Sequence, residues 1–171
     1  MKLITLLFIS LLGYTNPSTI SSDPPSVLVE SNVESNELSK GAEIRLRKDI
    51  SKFALKFKGK SYGYGANGPN KFDCSGYTSF IYHHFNVRLD RSSNLQSKQG
   101  KQKRISQLKP ADLVFFGTQT RIQHVGIVLE ANKGRLVMIH CSSSRGVVIE
   151  DVYQSVYWKD RILFGKDVIN N

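Results

Sequence analysis

The chain has 171 residues, 40% of them apolar and 10% aromatic, with 24 lysines and arginines against 14 aspartates and glutamates and a net charge of +10. That apolar content excludes wholesale disorder, and the length allows one domain plus an extension. Two cysteines exclude a disulfide-dense scaffold and a four-cysteine zinc site, and no apolar run approaches the ~20 residues of a membrane-spanning helix.

Residues 1–20 read as a secretory signal peptide. Lys2 is its basic head and Leu3–Leu12 its ten-residue apolar stretch, too short to span a bilayer. A lipid anchor at the cleavage site needs a cysteine there, and the first cysteine is Cys74. The mature protein is therefore expected to be exported, with neither a lipid anchor nor stable membrane insertion. Residues 21–40 read as a flexible linker, because Thr15–Lys40 holds seven serines, three prolines, four acidic residues and no aromatic. Residues 41–171 read as the folded domain and carry 22 basic against 10 acidic residues, or +12. The charge suits an anionic partner.

Within that domain, Leu46, Ile50, Phe53, Ala54 and Phe57 recur at helical spacing and predict a helix over Glu43–Lys58, capped by Gly59. Ser61–Lys71 is Gly-rich loop. A second helix is expected from Cys74 to Phe85, with Tyr77, Phe80, Ile81, His84 and Phe85 facing inward. Arg88–Lys109 reads as a basic surface loop with a short helical turn. Strands follow at Asp112–Phe116, His124–Glu130, Arg135–Cys141, Val147–Glu150 and Arg161–Val168, with a hairpin turn at Asn132–Gly134. Helices first and strands afterwards predict an α+β domain with an antiparallel sheet of about five strands.

Cys74 stands where a Gly-rich loop meets a helix start. Free N–H groups and the positive end of the helix dipole there favour a thiolate and can hold an oxyanion. A thiol nucleophile needs a base, and the base needs an orienting partner. His124 opens one strand and His140 lies in the next. If those strands pair as a hairpin, the two histidines share one face, with Gly126 leaving room beside them. Each histidine alone is more often a structural residue.

These residues carry a resemblance. Tyr62–Gly76, with its Gly-rich loop running into Asp73-Cys74-Ser75-Gly76, is similar to the NlpC-type bacterial cell-wall cysteine peptidases, which are papain-like. Arg91-Ser92-Ser93 with Gln96 and Gly100, Leu108–Phe116, His124–Ile127, Ile139–Ser142 and Tyr157-Trp158 resemble later motifs of that family, in order. The resemblance implies a papain-like fold in which the helix bearing the nucleophile packs on the sheet. It implies Cys74 as nucleophile, His124 as general base, His140 as its orienting partner and Tyr62 as an oxyanion donor. It also implies that Asp73, Ser75 and Ser93 bind a free substrate amine. The implied substrate is a peptidoglycan stem peptide, cut between D-Glu, through its side-chain carboxyl, and diaminopimelate or lysine. Some relatives cut the D-Ala–diaminopimelate cross-link instead. Ala111 and Ala66 stand where the family usually has glycine, and Cys141 where it has alanine.

A catalytically silent wall-binding protein of the same fold is the rival reading, and the complete Cys74, His124 and His140 set argues against it. No cofactor or metal is expected. Adjacent His83 and His84 point in different directions on a helix, and nothing matches a metal-ligand spacing. No nucleic-acid motif accompanies the basic residues, so no nucleic-acid partner is expected, and the protein is expected to be a monomer. Strand alternation turns Cys141 away from His140 and hence from Cys74, which predicts two free thiols with Cys141 buried.

Overall fold

The computed structural model describes residues 27–170; the signal expected over 1–20 lies outside the described residues. Residues 37–171 group as one compact unit. Helix α1 spans Val27–Leu55. It covers residues 27–40, read above as linker. That composition argues against burial rather than against helix, and no proline follows Pro25 until Pro69. Ile50 and Ala54 are fully buried, and Leu46, Phe53 and Phe57 pack against them.

Two short parallel strands, β1 (Ser61–Tyr62) and β2 (Lys71–Phe72), brace the loop before helix α2 (Cys74–His83). Next come α3 (Ser93–Gln96) and β3 (Lys101–Lys103). Strands β4 (Leu113–Thr118), β5 (Arg121–Asn132), β6 (Arg135–Ser142) and β7 (Gly146–Asp151) follow as a meander. Helix α4 (Val156–Lys159) and strand β8 (Ile162–Asp167) close the order. The sheet has six antiparallel strands in the order β3-β8-β4-β5-β6-β7. The extra strand is β3, a basic tripeptide with no alternation to reveal it, paired only with β8.

The two sheet faces bury different clusters. Tyr77 and Ile81 of α2 pack with Leu113, Phe115, Val125 and Ile127 on one face. Val114, Phe116, Val128, Met138 and Trp158 fill the other. Each fully buried side chain of this size contributes about 1.5–3 kcal/mol. Tyr82 joins the helix-side core and donates its hydroxyl to the Ala111 carbonyl at 2.5 Å. His84, expected inside, is exposed and stacks on Phe53 with ring centroids 3.9 Å apart.

Ala111 takes a left-handed backbone, φ 62°, which explains why glycine suits this position in the resembled family. Arg47 is buried on the inner side of α1. It reaches Asp112 at 2.8 Å and Asp167 at 2.6 Å, and Lys103 completes the cluster at 3.0 and 2.9 Å from the same two carboxylates.

Candidate active site

Helix α2 begins at Cys74 because Asp73 caps it. The Asp73 carboxylate accepts the Gly76 N–H at 2.7 Å, satisfying one of the free donors of the first turn. Gly76 is required by contact rather than conformation. An added Cβ there would strike the Ala66 carbonyl oxygen. That carbonyl already accepts the Asp73 N–H at 2.8 Å and Arg91 at 3.1 Å. The loop bearing Tyr62 is thus pressed against the helix start.

Cys74 lines a cavity of about 500 Å³ together with Tyr62, His124, Cys141 and Trp158. Burial and the Asp73 carboxylate push the Cys74 thiol up, while backbone N–H groups of Ser75, Val125 and Cys74 itself oppose them. Burial, with Cys74 and Asp73 close by, raises the Tyr62 phenol. Tyr62 therefore keeps its hydroxyl proton at neutral pH.

His124 follows a bulge. Phe116 pairs with His124 but Gly117 pairs with Ile122, so Gln123 is the extra residue. Trp158 stacks on the imidazole, centroids 4.7 Å apart. Burial first, and His140 second, lower His124 to about 3. At neutral pH thiol and imidazole both rest uncharged. His124 Nε2 lies 2.8 Å from His140 Nδ1. β5 and β6 pair as expected, Ile127 opposite Ile139, which puts Gly126 beside His140. The space above Gly126 is taken by Met138 Sδ and His140 Cβ, 2.9 and 3.2 Å from where its own Cβ would stand.

Behind His140 stands Glu150, a residue the sequence reading passed over. Its Oε2 is 2.7 Å from His140 Nε2 and accepts Trp158 Nε1–H at 3.1 Å and Arg145 at 2.5 Å. Burial opposes its charge, but those three donors outweigh burial and hold the carboxyl down to about 2. Burial lowers His140, against the pull of Glu150. A sequence signal for Glu150 existed. His140 pairs with Val148, and alternation puts Glu150 on the same face as Val148.

Asp73, Ser75 and Ser93 do line one groove next to the cavity, with Tyr64, Arg91 and Arg121. The fully buried Gln96 anchors α3 there, donating to the Ser75 and Asp90 carbonyls at 2.9 and 2.7 Å. Asp73 is not a free carboxylate, however. Arg91 forks onto it at 2.9 and 2.7 Å and contacts Ser75 at 3.1 Å. Burial resists the charge, and Arg91 with the Gly76 N–H still lowers the Asp73 carboxyl.

Both cysteines are free, Cys141 buried and Cys74 partly so. Cys141 does turn away from His140, but not from Cys74, because α2 packs on the face Cys141 points to. It donates to the Phe72 carbonyl at 3.1 Å and borders the same cavity as Cys74. Burial drives its thiol up to about 12, so it stays protonated. Among the described residues no group of three or more His, Cys, Asp or Glu side chains is arranged to hold a metal ion.

The chain resembles known proteins. The protein named probable endopeptidase p60 of Listeria monocytogenes is 38% identical over 113 residues, 66% of this chain but 22% of its own length. A protein of Bacillus subtilis named bifunctional muramidase/DL-endopeptidase CwlT is 34% identical over 124 residues, 68% of this chain and 35% of its own. The chain thus spans about a fifth to a third of these relatives. Among crystal structures, the NlpC/p60 domain of the peptidoglycan hydrolase SagA superposes with a TM-score of 0.61 at 27% identity, covering 71% of this chain and 97% of that domain. An NLP/P60 family protein of Staphylococcus aureus superposes equally, at 0.61 and 30% identity, over 71% of this chain and 41% of its own. The pattern of the NlpC/P60 family itself matches residues 59–166, from the loop before Tyr62 to the end of β8, and so takes in all the site residues described above: this chain belongs to the NlpC/P60 family.

Proposed function

We propose that the protein is an exported cysteine endopeptidase that hydrolyses peptidoglycan stem peptides, between D-Glu, through its γ-carboxyl, and diaminopimelate or lysine. The observation that carries this reading is the cavity in which Cys74 at the head of α2 meets Tyr62 and His124, with His140 bonded behind His124. The names of the relatives support the substrate class, and the DL-endopeptidase name of the Bacillus relative supports a bond between a D- and an L-centre.

The chemistry follows from the resting charges. Cys74 Sγ attacks the amide carbonyl as its proton passes to neutral His124. The helix-start N–H groups and the Tyr62 hydroxyl hold the oxyanion. His124 then returns the proton to the leaving amine. A water attacks the thioester with His124 as base, releasing the acid and restoring the thiol. The +12 charge of residues 41–171 steers a carboxylate-rich polymer towards the domain without selecting the bond. Export rests on the signal read in residues 1–20, and N-terminal sequencing of the mature protein tests it. Light scattering tests the expected monomer.

The deciding experiment incubates residues 41–171 and Cys74→Ala with uncrosslinked and crosslinked muropeptides, read by mass spectrometry. Release of L-Ala-D-Glu by the wild type alone is the expected result. Conversion of dimers to monomers moves the cut to the cross-link. No product from folded, reduced protein overturns the enzymatic reading in favour of a silent wall-binding protein.

A further inference from the structure

The Glu150 carboxylate is enclosed by donors from three elements. Arg145 comes from the β6–β7 turn, His140 from β6 and Trp158 from α4, all on Oε2. An ionised carboxylate only accepts, so His140 must carry its proton on Nε2. A neutral His140 is then an acceptor at Nδ1. His124 Nε2, 2.8 Å away, must be the donor of that bond. Only Nδ1 of His124 is left with a free lone pair. One charge at the far end of the chain thus dictates which nitrogen of His124 is basic.

We propose that Glu150 is a positioning residue that acts through His140, fixing the tautomers of both histidines and stabilising the positive charge His124 gains from Cys74. The proposal rests on the reading above only in taking Cys74 as nucleophile and His124 as its base. No proton needs to reach Glu150. The Cys74 proton goes to His124 Nδ1, and the imidazolium is steadied by its Nε2–H bond to His140, itself polarised by Glu150. Arg145 and Trp158 keep the carboxylate ionised and aimed. Arg145 lies at the protein surface, its side chain 56% exposed, whereas Glu150 is 16% exposed. Substrate that covers Arg145 would therefore bear on the same chain.

Alkylation of Cys74 by iodoacetamide across pH tests this without peptidoglycan, with peptide mapping to separate Cys74 from Cys141. Glu150→Gln keeps shape and an acceptor oxygen but loses the charge. It is expected to slow alkylation at pH 7 about tenfold, one unit of proton affinity, and to converge with wild type at high pH, once hydroxide ionises the thiol unaided. Glu150→Ala loses the acceptor as well and should slow it about a hundredfold at pH 7. Imidazole ¹⁵N spectra should show His140 protonated at Nε2 in wild type and mixed tautomers in Glu150→Ala. Superposable profiles for wild type and Glu150→Gln overturn the proposal. So does a uniform loss at every pH, the mark of a merely structural role. If the profile moves as expected while wild type cuts no muropeptide, the proposed substrate fails and this inference stands.

Discussion

His124 Nε2 and His140 Nδ1 face each other at 2.8 Å, so one ring always donates to the other. His140 is fully buried and does not border the cavity that holds Cys74. It cannot touch substrate, and its effect must pass through His124. His140→Ala is predicted to lower kcat about 10²–10³-fold while leaving KM nearly unchanged. Steady-state kinetics on a purified stem peptide checks this, and a change confined to KM would count against it.

Arg47 is the buried centre of the cluster formed with Asp112, Asp167 and Lys103. Removing one partner of such a cluster strands charge in the interior. Arg47→Met is predicted to destabilise the domain by about 3 kcal/mol. Urea unfolding measures it, and a loss below about 1 kcal/mol would mean that Lys103 alone neutralises both carboxylates.

Stability should fall in acid in two stages. His124 is lowered from 6.5 to about 3, so the unfolded chain binds its proton first. Its contribution is complete above pH 6.5 and is lost as pH falls towards 3, at up to about 1.4 kcal/mol per pH unit. Asp167 is also depressed, to about 2. Burial opposes that shift, and Lys103 and Arg47 outweigh it. Its share is complete above pH 3.8 and disappears as pH falls through 2. Unfolding free energies at pH 7, 5 and 4 should therefore decline in wild type and decline less in His124→Asn. Parallel slopes for the two proteins would remove His124 as the cause.

The contact at Gly76 predicts a coupled loss. Gly76→Ala drives a methyl into the Ala66 carbonyl, whose bonds to Asp73 and Arg91 hold the loop of Tyr62 in place. Overpacking of this kind costs about 1–3 kcal/mol, and turnover should drop further than stability alone explains. A variant that stays fully active at a temperature where it remains folded would show that the loop can yield.

Most of the fold was legible because the strands are short β-branched or aromatic runs separated by turn residues. β5 and β6 read correctly from their hydrophobic pattern, and the register shift between Val128 and Glu130 brings the two histidines to one face. Several features escaped. β3 is a Lys-Gln-Lys edge segment, with no apolar face to betray it. The helical stretch before Glu43 has the composition of a spacer, and helix there needs no burial. Glu150 sits at the end of a strand among neighbours that look like ordinary surface charge. Its role exists only once Arg145, Trp158 and His140 converge on one oxygen. The pairing of Asp73 with Arg91 was likewise invisible, because the two are linked through a loop rather than a period. Cys141 escaped for a different reason. Alternation fixed its face correctly, but which face α2 covers is a tertiary fact.

The position of β8 bears on how the protein is made. It is the last of the described strands, yet it lies inside the sheet between β3 and β4, and it delivers Asp167 to Arg47, 120 positions earlier. While the ribosome still covers β8, β4 has an open edge, β3 has no partner, and Arg47 lacks one of its three close carboxylates. Long-range closure of this kind is slow, and unpaired edges invite aggregation meanwhile. A nascent chain can therefore hold its helices and the β4–β7 meander, but the six-stranded sheet waits for β8 to emerge.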